Sequence, residues 1–227
     1  MTDDAPKVAA SPSSMRLVLT LAIAGLISGI AIIGIYESTL PTITANKARE
    51  LRAAVFKVLP GVSQMQALVS RDGELVAAEK PAKGESVIYG GYDEHGNFVG
   101  YAMPAAGPGF QDTIGLLYGY RPSEKIVVGM EILESRETPG LGDKIYKDAA
   151  FVGAFSALSI DPEIVAVKKG SKSQPNEIDA ITGATISSKA VVRIINETHT
   201  RWSGQLPAPG SEPTLVRTEP AAVEAEQ

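Results

Sequence analysis

Two stretches of this sequence gather residue types that can do chemistry. The first, Asp179-Ala-Ile-Thr-Gly-Ala-Thr185-Ile-Ser-Ser188, sets hydroxyls among small residues directly ahead of a run in which Ala190, Val191, Ile194 and Ile195 share one helical face. A helix start presents unbonded amides and a partial positive charge, which makes it a ready anion site. Gly183 and Ala184 let a backbone or another enzyme come close to the Thr185 hydroxyl. On spacing alone the same residues also read as an N-cap, with Thr185 or Ser187 bonding the first amides. A phosphate is permitted by the pattern and not demanded by it. The second stretch, Glu137-Thr-Pro-Gly-Leu-Gly-Asp-Lys144, reads in isolation as a Pro-Gly turn. Its glycines Gly140 and Gly142 flank Leu141, and a backbone without Cβ atoms can lie against a flat ring.

Composition narrows what those stretches can serve. The chain has no cysteine, so disulfides, iron–sulfur ligation and thiolate catalysis are excluded, and any redox role needs a non-thiolate cofactor. The two histidines, His95 and His199, belong to no metal-ligand spacing and read as a solvated turn residue and a solvated helix residue. A net charge of −5 is not the footprint of a nucleic-acid binder.

The elements that must position the two stretches follow from periodicity. Leu17 to Tyr36 is an uncharged apolar segment between Arg16 and Glu37, long enough at about 1.5 Å per residue to cross the hydrocarbon layer. Gly25 and Gly29 give it a small-xxx-small face. Its length exceeds a signal-peptide core, and no convincing cleavage site follows, so it reads as a retained anchor. Flanking charges do not decide its orientation, because basic residues stand on both sides. Thr44 to Leu59 is amphipathic and stops at Pro60-Gly61. Alternating runs at 66–69, 75–78, 87–92, 98–103, 113–120, 125–134 and 164–168 predict strands; 93–97 and 121–124 read as hairpin turns, and 145–158 as helical in part. The expected order is an N-terminal tail at 1–16, a transmembrane helix at 17–36, an amphipathic linker helix at 37–61, a globular α+β domain at 62–206 and a disordered acidic tail at 207–227. That domain should be an antiparallel sheet flanked by helices.

The stretch Asp179 to Thr185 resembles the Asp-x-x-Ser/Thr-Gly-Ala-Thr flavinylation motif of the FMN-binding domain family, and Glu137 to Gly142 resembles the loop of that family that approaches the isoalloxazine ring. Within the family the likeness is to the G subunits of Rnf-type electron-transport complexes, with the C subunits of sodium-translocating NADH:quinone reductases more distant. The resemblance runs from about Arg16 to Trp202. It implies FMN held as a phosphoester on Thr185, with Glu137, Thr138, Gly140, Leu141, Gly142, Thr182, Gly183 and Ala184 around it. It further implies that a flavin transferase using FAD and Mg²⁺ attaches the group, with Asp179 read during modification or, alternatively, an Asx-turn residue. Lys189, one turn beyond Thr185, is the expected counter-charge for the phosphate. No catalytic residue or metal ligand is expected of the chain itself. The implied setting is a redox subunit among other membrane subunits, in the cytoplasmic membrane with the domain outside, where electrons pass between ferredoxin and NAD⁺ as Na⁺ or H⁺ moves. The rivals are a quinone reductase component, a stand-alone flavoprotein, or a flavin-free anchored binding module with Thr185 as an ordinary cap. Two departures touch the fine contacts: Ser135 stands where the Rnf proteins often have histidine, and Gly109 to Ile114 matches the family's Gly-Tyr-x-Gly-x-Ile stretch only loosely.

Overall fold

The computed structural model describes residues 14–82 and 84–216; the first 13 residues of the expected N-terminal tail and the acidic end from 217 lie outside the described residues. The chain divides into one unit ending at Arg49 and a second beginning at Glu50. In the first unit the large apolar side chains of the expected span are exposed, Leu21, Ile27 and Ile32 among them. Among the described residues only this helix is long and apolar enough to cross a membrane. Where the sequence suggests two helices there is one: α1, Ser14–Val58, is unbroken and contains Pro41. Proline removes one helical hydrogen bond, but Ala45, Lys47, Ala48, Glu50 and Leu51 beyond it are strong helix formers that carry the helix on.

Alternation of large and small side chains builds the second unit. Strands β1 (Gln64–Arg71), β2 (Glu74–Ala77), β3 (Val87–Tyr92), β4 (Phe98–Pro108), β5 (Thr113–Arg121) and β6 (Ile126–Glu134) are followed by a two-residue β7 (Leu158–Ser159). They form an antiparallel sheet in the order β2-β1-β3-β4-β5-β6-β7. The short helices α2 (Lys144–Lys147) and α3 (Ala149–Gly153) and a 3-10 turn occupy the segment expected to be partly helical. Two further strands, β8 (Val165–Val167) and β9 (Glu177–Asp179), pair in parallel and lead into α4 (Thr185–Ser203). This is the α+β architecture that the alternating runs predicted.

The two faces of the sheet are covered by different helices. Tyr101 and Met103 of β4 and Leu116 and Tyr118 of β5 point to the face where α4 buries Val191, Ile194, Ile195 and Trp202. The opposite face takes the end of α1, with Ala54, Val55, Val58 and Leu59 against Ala102, Leu117 and Val128. That helix end lies very close to the sheet because Gly119 and Gly129, in register on β5 and β6, form its floor. A Cβ at Gly119 would collide with the Val58 carbonyl oxygen, and one at Gly129 would stand 2.8 Å from it.

Two expectations need correction here. Residues 207–216, placed by composition in a disordered tail, are held: Tyr92 Oη donates to Pro213 O at 2.6 Å, while the Gln66 amide donates to Thr214 O at 3.3 Å and accepts from Val216 N at 2.7 Å. A segment poor in apolar residues is thus fixed by side chains that satisfy its backbone. His199 is not a solvated helix residue; its ring meets that of Tyr120 edge-on at 4.7 Å, and burial lowers its pKa, so it stays neutral. It lies one turn beyond Ile195, on the buried side of α4. His95 is exposed in the β3–β4 turn, as expected.

The glycine floor yields a stability test. Gly119→Ala pushes a methyl into helix backbone, which cannot rotate away, and should cost roughly 2 kcal/mol or more. Gly153, whose added Cβ meets nothing within 4 Å, is the control, and Gly153→Ala should stay near wild type. Thermal unfolding checks both, with a drop of about 4 °C or more expected only at Gly119.

Candidate functional site

The two chemical stretches meet, and a buried carboxylate joins them. Glu137, only 5% exposed, follows the end of β6. Its Oε1 accepts from the Phe110 and Gln111 amides of the β4–β5 loop, both at 2.9 Å. Its Oε2 accepts from the Ser187 hydroxyl on the first turn of α4 at 2.5 Å. One side chain therefore ties a hairpin loop, the Glu137–Gly142 turn and the start of α4 together. Burial pushes the carboxyl pKa up, but the hydrogen bonds from Ser187 and from the amides of Gln111, Phe110 and Asp112 outweigh it and hold the group below its usual value. Glycines make room for it: a Cβ at Gly109 would collide with Oε1, and one at Gly142 would lie 2.5 Å from Oε2. Ser135, the departure from the family pattern, accepts from the Glu137 amide at 3.3 Å.

Two turns then face each other. In the first, Leu141 N donates to Thr138 O at 3.1 Å, with Gly140 in the left-handed region at φ +78. In the second, Ala184 N donates to Ile181 O at 3.0 Å, with Gly183 at φ +83. Both place glycine where an L side chain would be strained. Between them lies a pocket of about 330 Å³ lined by Phe110, Thr138, Leu141, Gly142, Gly183, Ala184, Thr185, Ile186 and Ser187. Three of its rim residues are large, apolar and open to solvent: Phe110 at 65%, Ile186 at 59% and Leu141 at 52% exposure. Among the described residues no ionisable side chain lines it, so its walls suit a flat apolar group.

Thr185 is the first residue of α4 and is exposed at the mouth of this pocket. It does not cap the helix. Ala184 is the N-cap residue and no side chain caps the first amides, while the Thr185 hydroxyl makes only a long 3.5 Å contact back to Ile181 O. Ser188 is spent on structure, accepting from Ile181 N at 3.1 Å and donating to Ala184 O at 2.9 Å. The helix start thus keeps its anion-binding amides available beside a free hydroxyl.

Of the residues singled out in sequence, Thr138, Leu141, Gly142, Gly183, Ala184 and Thr185 line the pocket. Glu137 lies beneath it as a positioning residue, Gly140 shapes the turn, and Thr182 is an exposed turn residue. Asp179 stands at the end of β9, accepting from Lys172 N at 3.3 Å. Lys189 does not join the site; it lines a different groove of about 670 Å³ with Val165, Arg193 and Asn196. Sequence reasoning missed Phe110 and Ile186, whose positions beside the two motifs were the available signal, and the structural use of Ser187.

Comparison with known proteins agrees with this geometry. A family model of the FMN-binding domain matches residues 109–199. The G subunit of the Na(+)-translocating ferredoxin:NAD(+) oxidoreductase complex of Acetobacterium woodii is 34% identical over 164 residues, covering 70% of this chain and 76% of that protein. The chain belongs to the family of G subunits of ion-translocating oxidoreductase complexes. Two more members illustrate the breadth of this family. The G subunit of the proton-translocating ferredoxin:NAD(+) oxidoreductase complex of Clostridium ljungdahlii is 32% identical over 185 residues, covering 82% of this chain and 89% of that one. The G subunit of the ion-translocating oxidoreductase complex of Escherichia coli strain K12 is 31% identical over 186 residues, covering 78% and 87%. The crystal structure of Shewanella oneidensis NqrC shares the fold with a TM-score of 0.56 at 17% identity, over 67% of this chain and 91% of that one.

In this chain the Glu137 junction is testable apart from any flavin. Glu137→Ala leaves two amides and a hydroxyl without their acceptor and should cost roughly 3 kcal/mol in urea unfolding. Because the folded carboxyl has a lowered pKa, its contribution is present above the unfolded value near 4.5 and is lost as pH falls through the folded value. Glu137→Gln should therefore flatten the loss of stability below about pH 4.5 relative to wild type. An acid limb of unchanged steepness would remove Glu137 from that role.

Proposed function

We propose that this chain is a membrane-anchored electron carrier that holds FMN as a phosphoester on Thr185, as the G subunit of an Rnf-type complex that passes electrons between ferredoxin and NAD⁺ while moving Na⁺ or H⁺. The observation that carries the reading is the placement of an exposed hydroxyl at an uncapped helix start, beside a pocket walled by two glycine turns and rimmed by Phe110, Leu141 and Ile186. The FMN-binding domain match spans all of these residues. The related G subunits, two of which are named for ferredoxin:NAD(+) oxidoreductase complexes, support the wider setting.

The residues present fit the group. Gly142, Gly183 and Ala184 give a backbone wall that a planar ring can lie against, and Phe110, Leu141 and Ile186 offer apolar contact at its edges. The helix-start amides face the position of the phosphate. Bound flavin supplies chemistry that accepts or gives one or two electrons, and the protein's share is position, electrostatics and access. Thr185 takes no part in turnover. Its hydroxyl forms one bond to the flavin-side phosphorus of FAD, the pyrophosphate link breaks, AMP leaves and the hydroxyl proton goes to solvent. An unactivated threonine is a poor nucleophile and no base lines the pocket, so this step falls to a separate flavin transferase, for which Asp179 is the proposed recognition residue. The α1 segment from Leu17 to Tyr36 lies in a helix long and apolar enough to cross a membrane; in this reading it anchors the chain in the cytoplasmic membrane with the globular domain on the extracytoplasmic side.

The test uses the full-length chain co-produced with a flavin transferase. Wild type should run as a fluorescent band on a denaturing gel, intact mass should show one added FMN, and peptide masses after digestion should place it on the peptide containing Thr185. Thr185→Ala should lose both signals while keeping the unfolding temperature of unloaded wild type within about 1 °C, since an exposed hydroxyl with one long contact stabilises little. A fluorescent Thr185→Ala band would move the tether elsewhere.

A further inference from the structure

We propose that Lys144, and not Lys189, supplies the positive charge that balances the phosphate esterified to Thr185; this rests on the covalent reading above. Lys144 is the first residue of α2 and directly follows the Gly142-Asp143 end of the turn that walls the pocket. Its ammonium lies over the opposite turn: a Cβ on Gly183 would stand 3.9 Å from Lys144 Nζ, two residues before Thr185. The side chain is half-buried, so its charge acts through a medium less screening than open water.

The neighbouring carboxylate does not consume that charge. Asp143 is buried and its Oδ2 is held by Lys147 Nζ at 2.5 Å, so the adjacent acid has its own cation one turn on. Among the described residues no carboxylate lies within ion-pair distance of Lys144 Nζ, although Asp143 feels its field. A half-buried lysine without an ion-pair partner, set beside uncapped helix amides and an exposed hydroxyl, is an arrangement that a phosphate diester completes. Its single negative charge would face amide dipoles from α4 on one side and the Lys144 ammonium on the other. Lys189 is placed differently: it lines the groove shared with Glu163, Arg193 and Glu197, whereas Lys144 Nζ reaches the Gly183 turn.

The experiment compares flavin-loaded and unloaded full-length chain, in detergent, for wild type, Lys144→Met, Lys144→Arg and Lys189→Met. The quantity read is the rise in unfolding temperature that loading produces. Lys144→Met should lose about 2 °C of that rise relative to wild type, Lys144→Arg should retain it, and Lys189→Met should match wild type. High salt should shrink the difference between wild type and Lys144→Met, because the effect is electrostatic. A Lys144→Met protein that loads slowly but gains the full rise would assign Lys144 to the transferase and overturn the proposal. An equal rise in all four proteins would overturn it too, and so would a loss confined to Lys189→Met. Absence of covalent flavin from wild type itself would sink the covalent reading, and this proposal with it, which separates that failure from the others.

Discussion

The site exists because one buried carboxylate is satisfied from three directions. Glu137 accepts from two amides of the β4–β5 loop and from Ser187 of α4, so a hairpin end, a turn after the edge of β6 and a helix start share one anchor. A buried anion is costly unless it is fully hydrogen-bonded, and that cost is what locks the three segments: none can leave without exposing the charge to an apolar interior. The pocket is the space these segments leave above the anchor. Gly109 and Gly142 are glycines for the same reason, since a methyl at either would displace the carboxylate oxygens. The Glu-Thr-Pro-Gly-Leu-Gly sequence thus divides its labour, with glutamate below, glycine giving way to it, and Leu141 and Thr138 turned up to the rim.

The sheet separates the site from the end of α1. One face carries α4 and through it the position of Thr185; the other carries the last turns of α1 on a floor of facing glycines. Close approach of a helix backbone to a sheet increases dispersion contact and leaves little slack. The domain-side end of α1 is therefore part of the core, with Val55, Val58 and Leu59 fully buried, and it does not behave as a loose linker.

How much of this was legible in the sequence depended on the range over which each feature is encoded. Strand β3 and the turn at Asp93 to Asn97 are local, and alternation with a Gly-containing turn is enough to place them. The helix after Thr185 is likewise written in the spacing of Ala190, Val191, Ile194 and Ile195. Strands β7 and β9 span two and three residues, too few for periodicity to register. Long-range pairings were hidden: nothing near Glu137 announces that its partners are Phe110, Gln111 and Ser187, so its part as a buried brace was not legible. The nearness of Lys144 to the Gly183 turn was hidden in the same way. Helical spacing says which residues stack above Thr185, but the space around a helix mouth is set by the loops that meet there, and their direction is absent from a 3.6-residue repeat.

The shape of the pocket bears on why a tether would be used at all. Its volume of about 330 Å³ is at the low end for a ligand site, its rim is open, and no charged side chain lines it. Such a site can orient a flat ring through apolar contact while leaving an edge exposed, which serves electron exchange with a partner, yet it offers little to retain a charged, soluble nucleotide. Tight non-covalent binding would need deeper enclosure or a cluster of cations around the phosphate, and enclosure would lengthen the path to any redox partner. The proposed phosphoester on Thr185 would remove that conflict, because retention would no longer depend on the depth of the pocket. The walls would then be free to be shallow, and the exposure of Phe110, Leu141 and Ile186 would suit an open redox site.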